Sequence, residues 1–144
     1  MLFKIVVIAV LCGLVSAKET KIELTGNYYF GTTTKAFYDA RIFCNDNGLN
    51  LVSIETAEEA ALIQSLAPEG GFYWTSGTDV NQEHGSFFWA SGLPISLSDG
   101  LWAANEPNDY LTAPTEVSVA FDLDSGTIGD YVFWDYYKFI CELP

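Results

Sequence analysis

Two cysteines, Cys44 and Cys141, set the frame for this 144-residue chain. They stand 141 − 44 = 97 residues apart, and the third cysteine, Cys12, lies in what reads as a removable leader. The first seventeen residues carry Lys4 in a short basic start, an apolar run from Ile5 to Val15, and the small pair Ser16-Ala17 ahead of Lys18-Glu19-Thr20. That order is a secretory signal peptide, and its apolar run is shorter than the roughly 20 residues that span a bilayer. The reading is therefore a signal peptide over 1–17, a short N-terminal segment over 18–25, and one secreted, extracellular domain over 26–144, large enough to bury its own core. In an oxidising compartment Cys44 and Cys141 pair, two free buried thiols being the alternative. A bridge closing about 100 residues restricts the unfolded chain by roughly 4.7 kcal/mol on the chain-entropy account.

Charge narrows the partners. The chain holds 6 basic and 19 acidic residues. Loss of Lys4 with the leader leaves 5 − 19 = −14, a balance that repels nucleic acid and anionic membrane. The acids are interleaved with aromatics, so they do not form a disordered tail, and no segment beyond the leader is apolar enough for membrane insertion. Such a surface suits divalent cations, and it equally serves plain solubility.

The periodicities predict an α+β domain. Asn27-Tyr28-Tyr29-Phe30 reads as a short strand, and Thr32 to Thr34 offer an N-cap for a helix over Lys35 to Asn47. Phe37, Ala40 and Cys44 at i, i+3 and i+7 make one apolar face, and Gly48 is the stop. Leu49 to Ile54 is extended. Thr56 with Glu59 three residues on forms a capping box for a second helix, whose buried stripe is Ala60, Ile63 and Leu66 or Ala67 and which ends at Pro68 and Gly70-Gly71. Short strands at Tyr73-Trp74 and Phe87-Phe88-Trp89 and a long loop from about 91 to 115 follow, a length that asks for a bound ion or ligand to organise it. Val117, Val119, Phe121 and Leu123 alternate with Ser118, Ala120, Asp122 and Asp124, the pattern of a strand buried on one face. Tyr137 to Leu143 is the last strand and carries Cys141.

Inside the long loop, Glu106-Pro107-Asn108 places two oxygen-bearing side chains on either side of a proline, with Glu116 and Asp130 to follow. Calcium takes six to eight oxygens from carboxylates, amides and carbonyls, and these residues supply those types. A cis Glu106–Pro107 bond would turn both flanking side chains toward one ion. On its own the tripeptide also reads as an ordinary exposed turn.

Taken in order, Tyr28-Tyr29-Phe30, Ala40-Arg41-Ile42-Phe43-Cys44, Leu51-Val52-Ser53-Ile54, Tyr73-Trp74-Thr75-Ser76-Gly77, Trp102, Glu106-Pro107-Asn108 and Phe139-Ile140-Cys141-Glu142 resemble the C-type lectin-like domain family over about residues 26 to 143. The resemblance implies two helices flanking mixed, mostly antiparallel β-sheets, with a long loop region that binds Ca2+ and, through it, a sugar. Carried over by position, Glu106, Asn108, Glu116 and Asp130 are the ligands of the ion and of the sugar hydroxyls, Asp130 by counting back from Cys141. The Glu-Pro-Asn form is similar to binders of mannose, glucose or fucose, galactose being the choice of a Gln-Pro-Asp form. A second ion, as in some members, would fall to Asp79, Glu83 and Asp109, with Val117 where a further carboxylate is expected. The implied role is non-enzymatic recognition of microbial or host glycans.

The chain departs from the family pattern in three places. Ile128-Gly129-Asp130 stands where Trp-Asn-Asp is usual, so an amide ligand beside Asp130 is missing. The stretch through Leu111-Thr112-Ala113-Pro114 is about two residues longer than the common form. The inner disulfide falls at Ser118 and Phe133. Gly129 and the lost inner disulfide favour a competing reading, a calcium-independent domain that keeps the fold and binds protein, whereas the retained Glu106, Asn108, Glu116 and Asp130 favour the lectin. His84, the only histidine, reads as a surface turn residue, and with it alone no hydrolytic triad is supported. Asp122 and Asp124 have the residue types of a glycosidase pair, but on an alternating strand they form its solvated face. Trp74, Trp89 and Trp102 read as core, and Tyr110 or Trp134 as candidates to stack on a sugar ring. No Asn-x-Ser/Thr sequon occurs.

Overall fold

The computed structural model describes residues 22–108 and 117–144. The signal-peptide reading and the assignments to Asp109, Tyr110 and Glu116 fall outside them. Eight elements follow in the order β1 (Tyr28–Phe30), α1 (Phe37–Asp46), β2 (Asn50–Leu51), α2 (Ala57–Leu66), β3 (Phe72–Thr78), β4 (Val117–Asp122), β5 (Thr127–Val132) and β6 (Lys138–Glu142). This is the α+β arrangement read from the periodicities.

Helix α1 buries Phe37, Ala40 and Cys44 as the spacing requires. Its start differs from the expectation: no side chain caps it, and Thr32 to Thr34 are not its N-cap, because the chain stays extended through Ala36. Lys35 and Tyr137 exchange backbone hydrogen bonds of 2.8 and 3.1 Å, and Phe37 N donates to Phe133 O at 3.0 Å. Those sheet-like bonds delay the helix. Gly48 follows the helix at φ +71°, a left-handed stop that glycine adopts without penalty. At α2, Thr56 Oγ1 accepts from Glu59 N at 3.1 Å, and the Glu59 carboxylate reaches back to Glu55 N at 3.0 Å. The reciprocal half of the capping box therefore lands one residue earlier than the usual geometry.

The sheet order is β1-β6-β3-β4-β5, with β2 also paired to β6. The β3–β6 pairing is parallel and the others are antiparallel. One face carries Val52, Ile54, Ile63, Val117, Val119, Phe121, Ile128 and Ile140. The other carries Phe37, Ala40, Cys44, Trp74, Ala120, Phe139 and Cys141, and here Cys44 and Cys141 form their disulfide with both residues fully buried. Because α1 and the Trp74 indole cover this second face, β4 is not the half-exposed strand that its alternation suggested: Ser118 and Ala120 are as buried as Val117 and Val119. The Trp74 ring meets Phe37 edge-on at 5.7 Å, and its Nε1–H donates to Lys35 O at 2.9 Å.

The long loop is built onto this core up to residue 108. Phe87-Phe88-Trp89 is not a strand. Phe88 makes isolated bridges to Thr78 and Pro94, while Phe87, Trp89, Ile95 and Leu101 bury their side chains. Ile95 N donates to Phe87 O and Trp89 N to Leu93 O, each at 2.9 Å. Protein contacts hold residues 91–108, where the length had called for a ligand to do so.

Candidate functional site

The site lies along the free edge of β5. Ile128 N donates to Leu101 O at 2.8 Å and Ala103 N to Ile128 O at 2.9 Å, so the loop runs beside the strand in a short parallel bridge at Trp102. The chain then turns: Glu106 N donates to Ala103 O at 3.0 Å, and Asn105 takes φ +67°, a conformation that asparagine tolerates better than most residues. The Glu106–Pro107 bond is cis.

This turn brings three of the four sequence-predicted ligands together. Asn108 N donates to Asp130 Oδ1 at 2.9 Å, and Asn108 Nδ2 donates to Glu106 Oε1 at 2.7 Å. Asp130, on β5, is 3 % exposed. Glu106 Oε2 is buried with no hydrogen-bond partner among the described residues. Burial first, and then the adjacent Asp130 carboxylate, push the Glu106 carboxyl up to about 7. Two acidic groups, one of them buried, and an exposed amide thus converge at one corner, where Glu106 Oε2 has no donor among the described residues. A bound cation would supply a counter-charge there.

The donor set suits a hard ion. It is all oxygen, it contains no thiolate or imidazole, and it presents the orphaned carboxylate oxygen that a ligated ion would satisfy. Among the described residues no group of three or more His, Cys, Asp or Glu gathers at one point. The described part of the site is the carboxylate pair Glu106 and Asp130 together with the Asn108 amide. Two cavities of about 380 and 360 Å3 lie elsewhere and are lined by none of these three residues.

The strand residue beside Asp130 is Gly129, and its side-chain space is taken. A Cβ there would lie 2.9 Å from the Tyr131 hydroxyl and 3.0 Å from Tyr131 Cε2. Sequence reasoning noted the glycine and missed the tyrosine, because an i, i+2 fold-back over a glycine leaves no periodic signal. Burial and then the Glu106 charge push the Tyr131 phenol up to about 12.

Other named residues have structural partners. The two carboxylate oxygens of Asp79 accept from Gly85 N at 3.0 Å and Val117 N at 3.2 Å, and His84 Nδ1 lies 3.1 Å from Oδ2. Asp79 thereby ties the 79–86 turn to the start of β4, and Glu83 is exposed. Asp122 accepts from Asp124 N and the Ser125 hydroxyl, and Asp124 from Gly71 N. Both acids brace turns and do not face each other as a catalytic pair. Trp74 and Trp89 are core, as read, and Trp102 is half-buried against Phe87 at 5.3 Å. Trp134 is 53 % exposed. Ser118 and Phe133 stand apart from any disulfide: the Ser118 hydroxyl is buried without a partner among the described residues, and Phe133 packs edge-on against Tyr38 at 5.4 Å.

The family profile described as "Lectin C-type domain" matches residues 33–143. The chain belongs to the C-type lectin domain family. It is 32% identical over 99 residues to C-type lectin domain family 17, member A of Homo sapiens, covering 68% of this chain and 25% of that protein. It is 28% identical over 118 residues to C-type lectin domain family 4 member E of Mus musculus, covering 81% and 55%. The C-type lectin chain thus spans a quarter and about half of these two relatives. Among solved structures, the human scavenger receptor C-type lectin carbohydrate-recognition domain superposes with a TM-score of 0.70 at 26% identity, covering 88% of this chain and 98% of that one. C-type lectin domains are in general binding proteins and not enzymes, they typically take Ca2+, and they are often extracellular. No helix among the described residues is long and apolar enough to cross a membrane.

Proposed function

We propose that this C-type lectin domain is a secreted, calcium-dependent carbohydrate-binding protein with a mannose-type preference. The observation that carries the reading is Glu106 Oε2, a buried carboxylate oxygen without a hydrogen-bond partner among the described residues, beside the buried Asp130 carboxylate. An unpaired buried anion is costly, and a bound Ca2+ is the simplest counterpart of this oxygen set. Glu106, Asn108 and Asp130 would hold the ion, with Glu116 as a further ligand. The ion supplies a positive centre that two neighbouring sugar hydroxyls can chelate. The side chains of Glu106 and Asn108 supply the acceptor and donor that those hydroxyls require. Mannose, glucose or fucose is the sugar class drawn from the Glu-Pro-Asn form, and microbial or host glycans are the source. An auxiliary ion at Asp79 is the weaker part of the proposal, since backbone amides already occupy its carboxylate.

The alternative, a calcium-independent interaction domain, is favoured by one observation: Gly129 contributes no ligand beside Asp130. The test is thermal unfolding of the mature chain in calcium and in chelator, repeated with mannose and galactose. A ligand that binds only the folded form raises stability according to its concentration over Kd. A calcium-dependent rise, increased further by mannose and less by galactose, is the expected result. Superimposable curves in calcium and chelator would select the alternative.

A further inference from the structure

Away from the Glu106 edge, a cleft of about 360 Å3 lies between α1 and the 79–90 segment, within the roughly 300–1,000 Å3 of small-molecule sites. Phe37, Leu51 and Trp89, all buried, give it an apolar floor. Its walls carry Arg41 and Asn45 from α1, Asn50 from β2 and Gln82 from the 79–86 turn. Arg41 and Asn45 stand at i and i+4 and so share one side of the helix, while Asp39 and Asp46 line the separate cavity of about 380 Å3. No Asp or Glu is among the described residues that line the cleft, in a chain with 19 acidic residues and, in Arg41, a single arginine. The Arg41 guanidinium is also set in place. It lies 5.0 Å from the centre of the Tyr38 ring, and Phe37 and Phe133 hold that ring edge-on at 5.3 and 5.4 Å. A guanidinium stacked in this way keeps its fork of donors open to a ligand. Among the described residues Arg41 makes no ion pair, and the side-chain amides of Asn45, Asn50 and Gln82 make no hydrogen bond. The hydroxyls deeper in the cleft are already engaged: Ser76 Oγ accepts from Ala90 N and Thr78 Oγ1 donates to Val117 O, each at 3.0 Å.

We propose that this cleft is a separate, calcium-independent subsite for an acidic sugar, a hexuronate whose single carboxylate pairs with Arg41. Guanidinium and carboxylate match as a bidentate, charge-assisted pair. A primary amide both donates and accepts, as does a sugar hydroxyl, so Asn45, Asn50 and Gln82 suit a ligand rich in hydroxyls. The apolar floor suits the C–H face of a sugar ring, and a mostly apolar lining with a few placed polar groups is the usual make-up of such sites. The net negative charge of the chain repels polyanions, which restricts the ligand to one charge, held locally at Arg41. The cleft shares no residue with Glu106, Asn108 and Asp130, so the inference does not rest on the calcium reading.

The experiment is a titration of the mature chain with sodium glucuronate in chelator, followed by nuclear magnetic resonance through the side-chain NH2 signals of Asn45, Asn50 and Gln82, with glucose and acetate as parallel probes. The expected result is a saturable shift of these signals by glucuronate. Glucose, which lacks the carboxylate, and acetate, which lacks the ring and its hydroxyls, are each expected to bind at least about 10-fold more weakly. Arg41→Gln changes an exposed side chain, so it should leave the thermal midpoint unchanged and weaken glucuronate about 10-fold or more, with Arg41→Lys, which keeps the charge and loses the fork, falling between. Glucuronate that leaves the three amide signals unmoved, glucose or acetate that binds as tightly as glucuronate, or an Arg41→Gln variant that binds glucuronate as before would each overturn the inference. Because the titration runs in chelator, its failure leaves the calcium reading of Glu106, Asn108 and Asp130 standing.

Discussion

Asp130→Asn separates a ligand carboxylate from a structural one. The substitution is nearly isosteric and keeps the Oδ1 acceptor that receives Asn108 N at 2.9 Å, but it removes a negative charge from a residue that is 3 % exposed. In chelator above pH 7 the unsubstituted chain must keep this charge beside Glu106. Asp130 ranks behind burial among the causes that raise the Glu106 carboxyl, and Glu106 is partly open to solvent. The repulsion relieved is accordingly discounted to about 0.5–1 kcal/mol. In calcium the balance reverses. An ion at 100 times its Kd stabilises the unsubstituted chain by about 2.7 kcal/mol, on the order of 10 °C in Tm for a domain of this size, and the variant forgoes most of that. Urea and thermal unfolding at pH 8, followed by circular dichroism in chelator and in excess calcium, should therefore show the order of stabilities invert. The variant is expected to match or exceed the unsubstituted chain in chelator and to fall below it by about 2–3 kcal/mol in calcium. A variant that loses more than about 1 kcal/mol in chelator would show that the carboxylate holds the loop as a structural group. One that keeps the full calcium response would show that Asp130 is not a ligand.

Calcium affinity should depend on pH through Glu106. Its folded value of about 7 lies above the ordinary 4.5, so its contribution to the stability of the calcium-free fold is complete below about 4.5 and is lost as pH rises through 7, while calcium affinity climbs over the same interval and then levels. Glu142, raised by burial to about 7, weakens the fold in the same window from its place beside Ser53 N, so the readout is the calcium Kd at several pH values; a flat profile from pH 5.5 to 8 would contradict the assignment. Replacing both Cys44 and Cys141 by alanine opens a loop with a sequence separation of 97 and is expected to cost about 2–5 kcal/mol in urea unfolding; a loss under about 1 kcal/mol would mean that the denatured chain is compact without the bridge. Thr56→Ala removes the acceptor of Glu59 N at the start of α2 and should cost about 1 kcal/mol in the same assay, whereas an unchanged urea midpoint would mean that the Glu59 carboxylate alone suffices as a cap.

Regular periods were legible, and contacts between distant segments were not. The i, i+3, i+7 face of Phe37, Ala40 and Cys44 survives intact because a helix face depends on local spacing alone. The start of that helix was misread at Thr32 to Thr34, since its true boundary is set by Tyr137 and Phe133, roughly a hundred residues downstream. Ala120 is buried in the cluster that holds Trp74 and Phe37 of α1, which the alternation of β4 cannot encode. At the candidate site the oxygen types of Glu106, Asn108 and Asp130 were visible as a motif, and their convergence is a product of the loop running along β5. The occupation of the Gly129 space by Tyr131 belongs to the same class, a packing choice with no signature in spacing.

The strand order places β1 and β5 at opposite margins of the sheet, with β6, β3 and β4 between them. Tyr28 pairs with Glu142, and Leu143 N donates to Asn27 O at 3.1 Å, so the two ends of the domain emerge side by side at the β1 margin. Four strand spacings of about 4.8 Å put the Glu106 edge roughly 19 Å across the sheet from that point of exit. Anything joined to either end, a bead, a carrier chain or a second copy of the domain, would leave the β5 margin facing outward, which is the geometry by which many individually weak contacts add up on a repetitive surface.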